Sequence, residues 1–223
     1  IIFGCIIWSN GISVNHIDLS IGKIHLFSVG PLTNWLSLIF TIVWIVGITN
    51  AINWIDGLDG LSSGVTILIC LSIIFISNPV SDLNTLSIFF CNILIGCCLG
   101  FFIFNKYPSK ILMGDSGSHL LGFNLALISL YSFTNYSFSG NLNKFNILVS
   151  ISILFIPLID MLFVILKRIS NKKSPFFPDR NHLHHRILEM GFKHEDCVYL
   201  IFLINILLAV VNFFLFGKVN NLG

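Results

Sequence analysis

The sequence predicts an all-α fold, a polytopic transmembrane helix bundle of about six full spans preceded by a truncated first one. Three observations predict it. Of 223 residues, 55% are hydrophobic and only 10% are charged, where an average soluble domain carries roughly 25% charged residues. Nearly uncharged runs lie at 35–52, 61–78, 83–105, 117–133, 145–166 and 198–217, each close to the ~20 residues with which a helix crosses ~30 Å of hydrocarbon. Short polar or Gly/Pro-containing breaks separate the runs, a pattern of helices rather than of barrel strands with alternating polarity.

Taken in order, the chain opens at Ile1 with an apolar stretch, 1–14, too short for a comfortable span. It has neither the basic start nor the small-residue cleavage site of a signal peptide. It reads as the end of a transmembrane helix, with an N-terminal part of the protein expected ahead of it. Residues 15–34 are polar with weak alternation (His16, Asp18, Ser20, then Ile24 and Leu26), which suits a small hairpin. The six apolar runs follow with short connections, apart from 167–197, the largest hydrophilic loop. No soluble domain, low-complexity tract or internal repeat interrupts them, so residues 1–223 read as one integral-membrane domain. Cys5, Cys70, Cys91, Cys97, Cys98 and Cys197 lie in or beside apolar runs without paired spacing and read as small buried hydrophobes.

Charge fixes the orientation. The turn near 53–60, residues 106–116 and residues 167–197 fall on one side of the bundle. They hold nine of the 12 Lys and Arg residues: Lys106, Lys110, Lys167, Arg168, Lys172, Lys173, Arg180, Arg186 and Lys193. The positive-inside rule makes that side cytoplasmic. The polar clusters suited to chemistry lie there too.

The first cluster is Asn50-Ala-Ile-Asn53-Trp-Ile-Asp56-Gly57-Leu-Asp59-Gly60-Leu61. Asn50, Asn53 and Asp56 are three apart and share a face if the helix continues. Gly57 and Gly60 loosen the backbone at the membrane surface, and Asp59 follows in that turn. An amide and two carboxylates at a helix end suit a hard cation or a polar substrate. They also suit ordinary capping and turn roles, although amides stepping back into an apolar helix demand partners.

The second cluster is Met113-Gly114-Asp115-Ser116-Gly117-Ser118. Small residues around one carboxylate let the backbone approach a ligand, and Asp115 is a candidate Mg²⁺ ligand. Ser116 and Ser118 equally suit N-caps. The third is Pro178-Asp179-Arg180-Asn181-His182-Leu183-His184-His185-Arg186. Arg gives bidentate donors and His donates or shuttles protons, so the segment suits phosphate oxygens. His182 and His185 share a face if it is helical. A loop gripping anionic lipid heads is the alternative, and zinc lacks a nearby Cys to complete a site. Asp160, deep in the 145–166 run behind Pro157, and His119 are each either functional or structural acceptors. No GxxxxGK[ST] loop or HExxH occurs.

At these residues the chain resembles the polyprenyl-phosphate N-acetylhexosamine-1-phosphate transferase family (glycosyltransferase family 4). The matching pieces are NAINWIDGLDGL (50–61), MGDSGSHLLGF (113–123), IPLIDML (156–162) and SPFFPDRNHLHHRI (174–187), in the family's order. The resemblance implies a Mg²⁺-dependent (or Mn²⁺-dependent) transfer of a sugar 1-phosphate from a UDP-N-acetylhexosamine to polyprenyl phosphate, releasing UMP, at the cytoplasmic face of a bacterial plasma membrane. It implies Asp115 and Asn53 at the metal, and Asp56, Asp59, His182, His184 and His185 as the catalytic set. Asn50, Asn53, Arg180 and Arg186 would bind substrate. The lipid bilayer is the surrounding partner, a homodimer is compatible, and no nucleic acid is expected. The PDRNHLHHR form is closer to the UDP-GlcNAc:undecaprenyl-phosphate branch than to phospho-MurNAc-pentapeptide transferase, whose motif reads closer to PIHHH. The family's adjacent aspartate pair does not occur here, which accords with a start inside the family domain. A polytopic transporter, the reading from another class, would need more polar residues at mid-span and broken helices in paired halves.

Overall fold

The computed structural model describes residues 1–14, 17–21, 24–29, 33–77, 82–133, 147–175, 177 and 181–216. Its axis is α2 (Asn34–Ile55), which touches α1 (Ile2–Ser9), α3 (Leu61–Ile76), α5 (Gly114–Phe133) and α7 (Phe155–Ser170). Around it, α4 (Asp82–Asn105) packs on α3 and α5, and α9 (His194–Phe216) packs on α3, α6 (Ile147–Ile153) and the short α8 (Leu183–Glu189). The expected hairpin is present: β1 (Ile17–Ile21) pairs antiparallel with β2 (Ile24–Val29).

The outer surface is apolar, as lipid requires. Trp35, Val43, Phe89, Ile103, Leu207 and Phe214 are exposed, while Ile48, Ile52, Leu61, Ile69, Leu125 and Ile201 form the interior. The chain is an integral membrane protein. Among the described residues three helices are each long and apolar enough to cross a bilayer, within Asn34–Ile55, Thr85–Asn105 and His194–Leu215, and a bent pair, α6 with α7, makes up to four. That is fewer than the six full spans expected, for two physical reasons. Helix α3 has 16 residues, or roughly 24 Å at 1.5 Å per residue. Helix α5 has the length but carries Asp115, Ser118, His119 and Asn124.

The run 145–166 is not one straight helix. It breaks at Leu154 and bends by 84°. Pro157 sits in the first turn of α7, where its missing N–H is tolerated, but its ring excludes the carbonyl of residue 153 that a continuous helix would place there. The bend lays α7 against α2 and brings Asp160 to His182.

Close packing joins α2 to α5. A Cβ on Gly122 would lie 2.8 Å from Thr49 Cα and 2.9 Å from Thr49 O, so only glycine lets these backbones approach. Trp44 Nε1 donates to Ser129 Oγ at 3.0 Å across the same interface. Of the cysteines, Cys70, Cys91, Cys98 and Cys197 are buried as expected, whereas Cys5 and Cys97 are exposed on α1 and α4, where a small apolar side chain also suits a lipid-facing surface.

Candidate active site

The turn that ends α2 holds the site together. Helix α2 stops at Ile55, and Asp56 is its C-cap, with its N–H on Asn53 O. Gly60 then adopts a left-handed conformation (φ 78°) as the N-cap of α3, which glycine permits without strain. Each side chain of this turn reaches a different element.

Asn53 reaches α5. Its Nδ2 donates to Asp115 Oδ1 at 3.2 Å and to Ser118 Oγ at 2.9 Å. Ser118 lies inside the helix, with its hydroxyl directed at Gly114 O and Asp115 O, so it is no N-cap. His119 Nδ1 meets Asp115 O at 2.6 Å, a contact within its own helix. Asp115 is exposed, one oxygen held and the other open.

Asp56 reaches the start of α3, accepting from Ser62 Oγ at 2.5 Å. Burial raises its carboxyl above the ordinary carboxylate value; the Ser62 hydrogen bond opposes the shift, and the neighbouring Asp115 charge adds to it. Asp59 reaches the other way: Ser109 N donates to its Oδ2 at 3.0 Å, and its own N–H donates to His194 Nε2 at 3.0 Å. The Asp59 carboxylate thus ties down the α4–α5 loop. Asn50 stands apart. Its amide donates to Val46 O at 2.7 Å and it lines a groove against α1, so the expected one-face row shortens to Asn53 and Asp56.

The histidine segment docks onto the same turn. Here Gly57 supplies space: a Cβ there would lie 2.1 Å from His184 Nε2. His184 is 2% exposed, and its Nδ1 is buried with no hydrogen-bond partner among the described residues. Burial lowers its pKa to about 4; His185 adds to the fall, Asp160 opposes it, and His182 and His194 add less. His182 is the N-cap of α8 and lies outside the helix, so it shares no helical face with His185. Its ring instead stacks parallel to His184 (4°, 5.8 Å) and edge-on to Trp54 (5.7 Å), while His184 and His185 meet at 4.3 Å. His182 Nδ1 and Leu183 N both bond Asp160, at 2.9 and 2.6 Å. Arg186 lies over the Phe163 ring at 4.3 Å. Arg180 lies outside the described residues.

The structure therefore gathers Asn53, Asp56 and Asp115 on one side of the turn and His182, His184 and His185 on the other. Sequence reasoning missed Trp54, whose ring also carries the Arg168 guanidinium at 4.8 Å. It also missed Asn105, whose Oδ1 takes Gly60 N at 3.0 Å while its Nδ2 donates to Ile111 O at 2.9 Å. An amide ending an apolar run was the available signal.

Among the described residues no three His, Cys, Asp or Glu side chains group into a metal cage. The donor set still fits Mg²⁺, which takes one or two carboxylates and completes its shell with water and substrate phosphates. Two neighbouring carboxylates, one of them exposed and the other raised mainly by burial and further by its like-charged neighbour, are of that kind.

Comparison with known proteins extends this picture. The profile of glycosyl transferase family 4 matches residues 2–133. A Bacillus subtilis (strain 168) protein named "probable undecaprenyl-phosphate N-acetylglucosaminyl 1-phosphate transferase" is 37% identical over 84% of this chain and 52% of its own length. The decaprenyl-phosphate N-acetylglucosaminephosphotransferase of Mycobacterium leprae (strain TN) is 37% identical over 75% of this chain and 45% of its own. A phospho-N-acetylmuramoyl-pentapeptide-transferase of Listeria monocytogenes is 41% identical, over 45% of this chain and 32% of its own. The chain spans about half the length of the first two relatives.

Proposed function

The chain belongs to glycosyl transferase family 4, and from that premise we propose that it transfers N-acetylglucosamine 1-phosphate from UDP-GlcNAc to a polyprenyl phosphate, releasing UMP. The observation that carries the reading is the α2 turn, where Asn53 bonds Asp115 and Gly57 makes room for His184. One turn thereby sets a cation-suited carboxylate pair beside a phosphate-suited histidine cluster. The GlcNAc branch is favoured because the relatives so named match 75–84% of the chain, against 45% for the pentapeptide-transferase relative.

In this mechanism an anionic oxygen of the lipid phosphate attacks the β-phosphorus of the sugar nucleotide. The new P–O bond forms as the bond to the α-phosphate breaks, and UMP leaves with the electron pair. When bound, Mg²⁺ would supply charge neutralisation on the diphosphate. Asp115 and Asp56 would hold it through their carboxylates, and Asn53 holds Asp115 in orientation. His182, His184, His185 and Arg186 donate to phosphate oxygens, and Arg180 is assigned to the same task by its motif. Positioning does most of the work, without a covalent enzyme intermediate. We read α3, α5 and the bent α6–α7 pair as further spans, completing six. The site then faces the cytoplasm of a bacterial plasma membrane, consistent with the basic loops around it.

The test uses the full-length protein in detergent or lipid with undecaprenyl phosphate. Mg²⁺-dependent UMP release from UDP-GlcNAc is the expected result. Release from UDP-MurNAc-pentapeptide alone would move the protein to the other branch. No release from either would overturn the reading.

A further inference from the structure

We propose that Asp160 is a positioning residue that fixes which ring nitrogen of His182 is available to substrate phosphates. The inference rests on the transferase reading above. Asp160 is 4% exposed and His182 is 8% exposed. A carboxylate inside a bundle is costly unless both oxygens are bonded, and here both are, to one segment. Oδ1 accepts from Leu183 N at 2.6 Å, and Oδ2 meets His182 Nδ1 at 2.9 Å.

The first bond is a helix cap delivered from another helix. His182, the N-cap of α8, makes no capping bond with its own side chain, and Asp160 satisfies the first amide of α8 instead. A cap needs only one oxygen. The second oxygen goes to the imidazole, and a carboxylate oxygen only accepts, so the hydrogen sits on Nδ1. That leaves Nε2 for a ligand, the arrangement by which a buried aspartate sets a histidine's tautomer in other enzymes. Trp54 edge-on and His184 in parallel limit the ring's freedom to turn. The bend at Leu154 and Pro157 is what brings Asp160 within reach of His182.

Asp160→Asn separates the two roles. Its single carbonyl oxygen can keep the Leu183 cap, and its NH₂ then faces His182 Nδ1 and drives the hydrogen to Nε2. In ¹⁵N spectra of histidine-labelled protein, with the His182 signal assigned by its loss in His182→Gln, Nδ1 is expected protonated in the wild type and unprotonated in Asp160→Asn. An unchanged Nδ1 state would overturn the proposal. In UMP release, Asp160→Asn is expected to lower kcat by about 10²-fold, with KM for the sugar nucleotide within about threefold. The double variant Asp160→Asn/His182→Gln should be no slower than His182→Gln alone, because Asp160 acts through His182. Multiplying losses would mean a purely structural role and overturn the proposal. So would a wild-type kcat in His182→Gln, which decides the matter even if Asp160→Asn does not fold. A wild type without UMP release would defeat the transferase reading, while the nitrogen spectra would still decide whether Asp160 controls the ring.

Discussion

Replacing Gly57 by alanine adds one methyl group at the point where the histidine segment meets the α2 turn. That methyl would lie 2.1 Å from His184 Nε2, 2.5 Å from Cε1 and 3.0 Å from Cδ2, where ordinary contact begins at 3.4 Å. The ring must therefore retreat by about 1.3 Å. It has little room to do so. His184 is 2% exposed, lies between His182 and His185, and has its backbone oxygen bonded by Cys197 Sγ at 3.6 Å. A displacement of about 1 Å in a positioned group can cost ~10²-fold in rate, and overpacking typically costs ~1–3 kcal/mol of stability. The assay is initial UMP release by purified Gly57→Ala protein, with a thermal melt to measure the stability term. Gly100→Ala is the control, since no atom lies within 4 Å of the added Cβ. It should keep wild-type rates. A wild-type kcat/KM in Gly57→Ala would refute the claim that α8 must seat against this turn.

The other expectations concern the remaining joints of the site. Gly122→Ala places a methyl against the Thr49 backbone, so α2 and α5 must part. A loss of about 1–3 kcal/mol in thermal stability is expected, together with slower UMP release as Asn53 leaves Asp115; an unchanged melt contradicts it. Asp115→Asn should abolish turnover while the protein still reaches the membrane, as read by rates on protein recovered at wild-type yield. For His184, the unfolded chain takes its proton near 6.5 and the folded chain only near 4. Stability should therefore be full above about pH 6.5 and fall by at most about 3 kcal/mol as pH drops towards 4. Melts across that window check it, and His184→Gln should remove that component.

Much of this was legible in the sequence. The apolar runs marked the helices, and the alternation from His16 to Leu26 marked the hairpin, because hydrophobic pattern follows local burial. The number of spanning helices was less so. A run such as 145–166 reads as one span by hydropathy, and the 84° bend depends on where Pro157 falls in the turn. At the site, Asn53, Asp115 and the histidines were visible as polar residues in an apolar chain. Asn50 looked equivalent to Asn53 by spacing. Only the position of α5 distinguishes them, and that depends on Gly122, a residue with no side chain to advertise its role. The same holds for Gly57, whose glycine reads as a loosened turn but serves as the seat of His184. Trp54, Asn105 and His194 act through contacts between distant segments, which spacing along one helix does not encode.

The most direct measurement uses UDP-GlcNAc labelled with ³²P at the β-phosphorus, supplied with Mg²⁺ and undecaprenyl phosphate to the full-length protein. Transfer of the sugar 1-phosphate carries the β-phosphorus into the lipid. The account predicts label in the organic phase and unlabelled UMP in the aqueous phase. Label remaining in water as UDP, with the sugar alone on the lipid, would contradict it, as would label retained in intact UDP-GlcNAc.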